Sequence, residues 1–424
     1  MSNSQIPVAA HDELKEAARD AWIYALPLIE IAMTRANRGG FGGEINTLGH
    51  TRDLANHKMR AVTTPNNDTL YTSAQIDLSA GPITITVPAA GERYLSLALM
   101  DAYTNNFAIL GTRTTGPDGG TFSLVGPSDA AEGANVVRAP TNHVWALARI
   151  LVDGPPDLEA ARAIQSGFSL QGPAVPQAKS HARRSAPWNE YFASVDELMV
   201  ANPPPVTDLA LLRKIAALGL GKGDFSAERF SADEAAAIEA GVAEARVAVR
   251  RGGGGANWID GWFYPRADLG NFGQSYAYRA GVALAGLAAL PPVEAMYMRG
   301  RGERGGIYDG HKRWRLHFPA DQLPAVNSFW SLSLYEATAD GQFFFADNPL
   351  NRYSIGDRTA GLTYNDDGSL DIWIGHEPPG GERDANWLPS PPAPFALFMR
   401  AYLPKPAMLD GSYRLPPVTA LAAE

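Results

Sequence analysis

Short runs of alternating apolar and polar residues, each ended by a glycine or proline turn, fill residues 61–127. The clearest runs are at 83–87 and 94–100, and Gly-Pro pairs at 81–82, 116–117 and 126–127 punctuate the region. Alternation with a period of two is typical of half-buried strands, whereas Gly-Pro pairs favour turns. An apolar run at 144–152 completes the region. The pattern predicts a β-sandwich.

The middle of the chain has a different character. Its segments at 157–165, 195–200, 208–218 and 232–249 are rich in Ala, Leu, Glu and Arg, which favour helices. Alternating strands return after residue 258, so we predict a mainly β protein with a helical insert. The expected parts are a helical lead-in, a first sandwich, the insert and a second sandwich, at residues 1–60, 61–153, 154–257 and 258–424. Glycines at 39–43 and 252–255 predict two loops.

Composition limits the partners and the chemistry. The 424 residues exceed the size of a single core and carry a net charge of −9, which argues against a nucleic-acid partner. The absence of cysteine excludes disulfides, zinc–thiolate sites and cysteine nucleophiles. The longest apolar stretch, 280–292, is too short to span a membrane, and no secretory leader is visible. We expect a cytoplasmic protein, or a periplasmic one if a leader was removed, and a homo-oligomer is compatible with the sequence.

The densest polar run of the first region lies at the entry to a strand. It contains two amides, a carboxylate, a hydroxyl and a phenol, namely Asn66, Asn67, Asp68, Thr69 and Tyr71. One interpretation is an Asx-turn network in which these side chains bind their own backbone. The alternative is a site in which Asp68 is a general base, Tyr71 is its hydrogen-bonding companion and Asn67 binds substrate.

A second polar run, at 101–106, follows the apolar strand at 94–100. Asp101 and Tyr103 are candidate catalytic residues, and Asn105 is a candidate substrate ligand. If the two runs end adjacent strands at one rim, Asp68 and Asp101 could share a proton or a divalent cation. Arg113 is either a partner of these acids or an exposed strand residue.

The carboxy-terminal half contains a strand with one polar face. Ser331, Ser333 and Tyr335 alternate with Trp330, Leu332 and Leu334, so the first three should lie on one side and the last three on the other. The polar side is suited to line a pocket. Arg352 and Tyr353 follow in a loop, where a guanidinium and a phenol could bind a carboxylate or a sugar hydroxyl. Alternatively, Arg352 fixes its loop to a neighbouring acid. Trp330, Arg352 and Tyr353 are the predicted substrate-binding residues here.

Several common kinds of site leave no trace in the sequence. The eight histidines show no spacing typical of a metal site, and neither a Gly-x-Ser-x-Gly elbow nor a dinucleotide fingerprint follows a strand. Covalent serine catalysis would need another arrangement, with Ser331, Ser333 or Ser354 as the nucleophile. We therefore predict no organic cofactor, and a divalent cation only in the form described above.

Motifs along the whole chain resemble a known pair of bacterial domains. Residues 65–71, Asp77, Arg93-Tyr94, Asp101 with Tyr103, and 111–113 resemble domain of unknown function 1254. Residues 329–331, Asn348-Pro349, 352–354, 367–369 and 386–389 resemble its usual partner, domain of unknown function 1214. The resemblance implies an amino-terminal immunoglobulin-like sandwich, a helical segment and a carboxy-terminal jelly-roll-like sandwich. It supplies no reaction.

Three functional hypotheses follow. The first is a hydrolase that uses acid–base chemistry on a small molecule in a polar pocket between the sandwiches. Asp68 would be its base, and Asp101 would be a partner carboxyl that shifts a pKa within the site. Tyr71 and Tyr103 would donate hydrogen bonds to an oxyanion. Arg352 would hold the substrate. The second is a binding protein for a small molecule or a carbohydrate. The third is an oxidoreductase or isomerase acting on a small apolar molecule, which the many aromatic residues at 258–278 would suit.

Overall fold

The computed structural model describes residues 8–37, 43–250, 257–302 and 306–422. The glycines predicted to form loops at 39, 40, 42 and 252–255 lie outside these ranges. Within the described ranges the protein has both helices and several sheets, as predicted. The helices are α1 (Val8–Ala36), α2 (Leu158–Gln165), α3 (Trp188–Ala201), α4 (Leu209–Lys214), α5 (Ala232–Arg250), α6 (Tyr276–Ala285) and α7 (Pro406–Asp410).

The amino-terminal helix and the middle helices form one helical body. A proline usually kinks or ends a helix, but α1 continues through Pro27. Its apolar residues, among them Trp22 and Ile29, share a core with Phe192 of α3 and Val242 of α5. Helix α6, although it follows the insert in sequence, packs mainly against α1. The lead-in and the insert are therefore separate in sequence but joined in space.

The first β-region forms two sheets. Its strands are β1 (Gly49–His50), β2 (Thr69–Asp77), β3 (Ile83–Val87), β4 (Leu95–Asp101), β5 (Asn106–Gly111), β6 (Gly120–Val125), β7 (Val136–Arg138), β8 (His143–Leu151) and β9 (Ser169–Gln171). Sheet A has the order β1-β2-β8-β4-β5, and sheet B has the order β7-β6-β3-β9. Alternating residues such as Leu70, Leu97 and Ile150 of sheet A share a core with Ile85 and Leu124 of sheet B.

The second β-region also forms two sheets. Its strands are β10 (Trp258–Ile259), β11 (Trp262–Phe263), β12 (Ala295–Gly300), β13 (Trp314–Phe318), β14 (Trp330–Ala337), β15 (Phe343–Phe344), β16 (Ser354–Gly356), β17 (Leu370–Gly375), β18 (Trp387–Pro389), β19 (Phe395–Tyr402) and β20 (Val418–Ala420). Sheet C has the order β10-β11-β12-β19-β14-β15, with β16 also paired to β14, and sheet D has the order β18-β17-β13-β20. Trp262, Leu332 and Met399 of sheet C share a core with Leu316 and Ile372 of sheet D.

Sheets A and C lie against each other through the faces that do not contribute to their own cores. Tyr94 and Ala98 of the first region share a cluster with Ala295, Phe329 and Tyr402 of the second. Since sheet B covers the other face of A and sheet D the other face of C, four sheets are stacked in the order B, A, C, D. We call the contact between A and C the inter-sheet layer.

The mainly β architecture with helices in the middle of the chain is confirmed. The immunoglobulin-like and jelly-roll-like topologies, and the boundaries of the four parts, stay predictions. Among the described helices, none combines the length and the apolar character that crossing a membrane requires.

Candidate functional site

The inter-sheet layer contains a polar centre that includes Asp68. The loop before β2 carries Asp68 across to sheet C, where its Oδ2 accepts a hydrogen bond of 2.6 Å from Ser331 and its Oδ1 accepts one of 3.4 Å from Ser354. The Asp68 carbonyl accepts from the amide of Val152 and so fixes the loop to the end of β8. One carboxylate therefore links the two sandwiches.

The predicted Asx-turn network is present beside this link. The side-chain oxygen of Asn66 accepts from the Asp68 amide at 2.7 Å, as in an Asx turn. The Nδ2 of Asn66 donates to the Tyr402 hydroxyl at 2.7 Å, on sheet C. The turn thus accounts for Asn66, while the Asp68 carboxylate remains directed at the second sandwich.

Arg400 of β19 holds the loop that precedes Asp68. Its guanidinium donates to the carbonyl of Thr64 at 3.2 Å and to the hydroxyl of Tyr335 at 2.7 Å. Tyr335 in turn donates to the carbonyl of Pro65 at 2.6 Å. Because these contacts fix the backbone just before Asp68, Arg400 positions the carboxylate as well as facing it with a positive charge.

The environment of Asp68 opposes its ionisation. Burial raises the pKa of the Asp68 carboxyl, and this effect outweighs Arg400, the hydrogen bonds from Ser331 and Ser354, and Arg358, all of which lower the pKa. A carboxyl with a raised pKa can exchange a proton closer to neutral pH than an exposed aspartate can, and such groups cluster at functional sites.

A second arginine lies in the layer on sheet A. Arg149 of β8 is 6% exposed, and its Nη2 donates to the carbonyl of Ala288 at 2.9 Å. Its guanidinium carbon is 5.6 Å from the centre of the Tyr71 ring. The Nη1 atom is buried and has no hydrogen-bond partner among the described residues.

Tyrosines surround Arg149. Burial alone would lower the pKa of Arg149, but the phenol groups of Tyr297, Tyr71, Tyr402 and Tyr94 raise it above the usual arginine value. Tyr71 and Tyr297 are half-buried. Part of each side chain therefore remains accessible to solvent, although Arg149 itself is buried.

The cross-strand registers bring these residues together in two similar rows. Arg149 is paired with Tyr71 on one side and Ser96 on the other, and Arg400 is paired with Tyr297 and Ser331. In each sheet the arginine lies on a central strand between a tyrosine and a serine. The layer thus has two buried cations, with hydroxyl groups beside each of them.

Asp101 and Tyr103 do not join this centre. Asp101 is paired with Val144 of β8, whereas Thr69, the neighbour of Asp68, is paired with Leu151. These positions are seven residues apart on one strand, or roughly 23 Å. The expectation that the two carboxylates converge is wrong, because β2 and β4 both run antiparallel to β8, and Asp68 precedes one strand while Asp101 ends the other.

The second polar run instead has a local role. Asp101 Oδ1 accepts from the amides of Tyr103 and Asn105, both at 2.9 Å, and burial raises its pKa to about 6. The Tyr103 hydroxyl donates to the carbonyl of Asn202 in the helical body. The Oδ1 of Asn105 accepts from the amide of Phe272. These side chains form a turn and fix it to its neighbours.

Trp330 and Arg352 lie outside the polar centre, and Tyr353 lies at its edge. Trp330 belongs to the core between sheets C and D, since it lies on the apolar side of β14. Arg352 donates to the carbonyls of Ala385 and Trp387, so it fixes its loop to backbone instead of to an acid. The Tyr353 hydroxyl is 2.7 Å from His57 Nδ1.

Two other predictions concern Asn67 and Arg113. The buried Oδ1 of Asn67 has no hydrogen-bond partner within the described ranges. Arg113 binds neither predicted acid: it donates to Glu294 Oε2 at 2.6 Å, and Tyr94 donates to Glu294 Oε1 at 2.9 Å. Glu294 thus joins the sandwiches at a second point.

The described residues offer no cluster of three or more histidine or acidic side chains with the geometry to hold a metal ion. Asp68 and Asp101, the proposed pair of cation ligands, are separated as described above. Some of the aromatic residues at 258–278 also lie outside the polar centre, because Trp262 and Tyr264 belong to the core between sheets C and D.

The sequence interpretation missed Arg149, Tyr297, Arg400 and Tyr402. Arg149 and Arg400 are the single charged residues of the strands HVWALARIL and FALFMRAY, apart from the terminal His143 of the first. Because arginine is rarely fully buried without a partner, a lone arginine in an apolar strand was a usable signal.

The matches to known families follow the two sandwiches. Residues 45–172 match the model described as Protein of unknown function (DUF1254), and residues 294–406 match the one described as Protein of unknown function (DUF1214). Asp68, Tyr71 and Arg149 lie in the first match, and Tyr297 and Arg400 lie in the second. The polar centre is therefore built from both family domains.

The fold is shared with a solved structure. The VPA0106 protein from Vibrio parahaemolyticus is 24% identical, with a TM-score of 0.74 over 96% of this chain and 100% of its own. An uncharacterised protein from Burkholderia cenocepacia is 14% identical, with a TM-score of 0.46 over 97% of this chain and 96% of its own. A search of curated proteins gave no match. The first likeness shows the fold alone.

Proposed function

Since this chain belongs to the bacterial family that joins a DUF1254 domain to a DUF1214 domain, we propose that the active site of such a protein is the inter-sheet layer where the two domains meet. The proposed activity is hydrolysis of a small molecule by general acid–base catalysis. Asp68 acts as the base that takes a proton from water while the water oxygen attacks the carbon of the scissile bond. When this bond breaks, the protonated Asp68 returns the proton to the leaving group.

The observation that carries the proposal is the placement of Asp68. A carboxyl with a raised pKa lies between two sheets, within a group of phenol and guanidinium side chains. Purely structural carboxylates are usually paired in a way that lowers their pKa, as Asp157 is by its hydrogen bond from Arg93. Burial of Asp68 has the opposite effect and suits a group that must gain and lose a proton.

The neighbouring residues supply the other roles. The Tyr402 hydroxyl accepts from Asn66 and so keeps its own proton to donate to a developing oxyanion. Tyr71 is half-buried and lies beside Arg149, where we place the entry of the substrate. Arg400 is a positioning residue because it holds the carbonyl of Thr64 in the loop before Asp68.

The test compares two isosteric variants on the same panel of esters, amides, lactones and glycosides, with mass spectrometry as the readout. Asp68→Asn should lower turnover at least ~100-fold, the usual loss for a missing general base. Asp101→Asn is the matched control, since Asp101 is also a buried carboxyl with a raised pKa but lies far from Asp68. Equal turnover in the wild type and Asp68→Asn would refute the proposal.

The hydrogen bonds that Asp68 accepts favour a second candidate. Both of its oxygens accept hydrogen bonds from serines, an arrangement that also suits a structural link in a binding protein without turnover. In that case the panel would yield a retained and chemically unchanged ligand. Product in the mass spectrum of the wild type, lost in Asp68→Asn, favours the hydrolase.

A further inference from the structure

Arg149 is the buried cation of the layer that is least well neutralised. Its side chain is more than nine-tenths buried, its Nη1 atom has no hydrogen-bond partner among the described residues, and its Nη2 binds only a backbone carbonyl. Buried charges are normally paired, because an unpaired charge in a protein interior is costly.

The acids of the layer are engaged elsewhere. Asp68 binds Ser331 and Ser354 and faces Arg400, and Glu294 binds Arg113 and Tyr94. In the described part of the chain, no carboxylate lies within ion-pair distance of Arg149. The Tyr71 ring offers the guanidinium a cation–π contact at 5.6 Å but no negative charge.

We propose that Arg149 binds the carboxylate of the substrate, so that the protein acts on a small monocarboxylic acid. This inference rests on the proposed function and specifies its substrate class. An arginine with a free Nη1 is suited to bind a carboxylate through a charge-assisted hydrogen bond. The phenol of Tyr297, which is half-buried beside Arg149, is placed to bind the second oxygen.

The strand geometry sets the scale of this substrate. The amide of Val152 binds the carbonyl of Asp68, and Val152 is three residues beyond Arg149 on the same chain segment. The corresponding backbone separation is about 10 Å. A small molecule that contacts both Arg149 and Asp68 must therefore bridge a backbone separation of about 10 Å.

The charges favour a carboxylate over a phosphate. A single negative charge neutralises Arg149, whereas a phosphate monoester carries about −1.5 to −2 at neutral pH. The additional negative charge of the phosphate would lie in the same layer as Asp68, where burial already raises the pKa of that carboxyl. Inorganic phosphate is therefore the discriminating probe.

The experiment measures binding of small probes to the full chain by calorimetry. The probes are formate, acetate and benzoate, the matching neutral amides formamide, acetamide and benzamide, and inorganic phosphate. At least one carboxylate should bind at least ~10-fold more tightly than its amide and than phosphate, as expected for a hydrogen bond to a charged group. This comparison needs no variant. Equal binding of acid and amide, or binding of no carboxylate, overturns the proposal.

Two arginine variants locate the binding. Arg149→Met should lose this selectivity, because methionine cannot donate a hydrogen bond to a carboxylate. Arg279→Met is the matched control: Arg279 is 1% exposed but lies among Tyr24, Tyr103 and Tyr276 of the helical body. It should keep the selectivity. Selectivity retained in Arg149→Met contradicts the assignment.

The outcome is separable from that of the proposed function. Asp68→Asn should still select carboxylates over amides, because Arg149 is intact. If that variant keeps full turnover while carboxylates bind at Arg149, the hydrolase fails and the anion site stands. If turnover depends on Asp68 but acids and amides bind equally, the anion site fails and the hydrolase stands.

Discussion

The pKa of Asp68 is raised by one feature of its environment and lowered by others. Burial favours its protonated form, while Arg400, two serine hydroxyls and Arg358 favour the carboxylate. Because the first effect is the larger, the pKa of Asp68 lies above that of an ordinary aspartate. As a base, Asp68 must be ionised, so the rate should rise with pH through this raised pKa and should not fall.

Arg358 offers a test of this balance. It lowers the pKa of Asp68 and forms an ion pair of 2.7 Å with Asp153. Arg358→Gln removes a positive charge that stabilises the ionised form, so the pKa of Asp68 should rise further. We expect the rising limb of kcat/KM to move to higher pH by a few tenths of a unit up to about one unit. A pH–rate profile at low salt measures the shift.

The control is Arg383→Gln, which removes the same charge next to Trp373 on sheet D. Its profile should coincide with that of the wild type. A shift of the Arg358→Gln limb to lower pH would contradict the account, because it would mean that the titrating group is not a carboxylate stabilised by Arg358.

For individual residues, the sequence predicted those roles that local spacing determines. The division of β14 into a face with Ser331 and Ser333 and a face with Trp330 is confirmed, because the period of a strand decides it. The roles of Asp101 and Arg352 could not be read in this way. Whether a carboxylate or a guanidinium binds its own turn or a distant partner depends on tertiary contacts that spacing does not contain.

At the scale of elements, the helical body depends on a close approach of α1 and α5. Gly241 lies in α5, and a Cβ atom added there would be 2.1 Å from the carbonyl oxygen of Lys15 and 3.1 Å from the Cβ of Ala18. The two backbones can approach this closely only because position 241 has no side chain. Sequence predicted the two helices, but their contact joins segments more than two hundred residues apart.

Gly241→Ala should therefore destabilise the protein by about 1–3 kcal/mol, because the helices must move apart. The sign is diagnostic, since alanine in an exposed helix stabilises by about 1 kcal/mol relative to glycine. Urea unfolding followed by circular dichroism measures the change. Gly43→Ala, where an added Cβ meets no atom within 4 Å, is the control and should be nearly neutral. A Gly241→Ala protein as stable as the wild type would contradict the close approach.

At the scale of the whole molecule, the candidate site exists only because sheets A and C meet. Each sheet buries one apolar face against its own partner sheet, which alternation in the sequence predicted. The opposite faces carry Arg149 and Arg400 and are not polar enough to be identified as an outer surface or apolar enough to be identified as a core. The sequence alone therefore could not show which faces of the sheets pack against each other.

The layer also explains why two domains are needed. Asp68 reaches from the first sandwich to Ser331 of the second, while Glu294 reaches from the second to Tyr94 and Arg113 of the first. Either sandwich alone would leave a carboxylate without its partners. The chemistry that we propose thus belongs to the pair of domains and to neither of them separately.

The most direct test of this account is a crystal structure of the full-length protein soaked with the carboxylate that binds best in the calorimetric panel. The account predicts that this molecule lies in the inter-sheet layer, with its carboxylate on Arg149 and its other end toward Asp68. A molecule bound instead beside Trp373 on the outer face of sheet D, with the layer unchanged, would contradict the account.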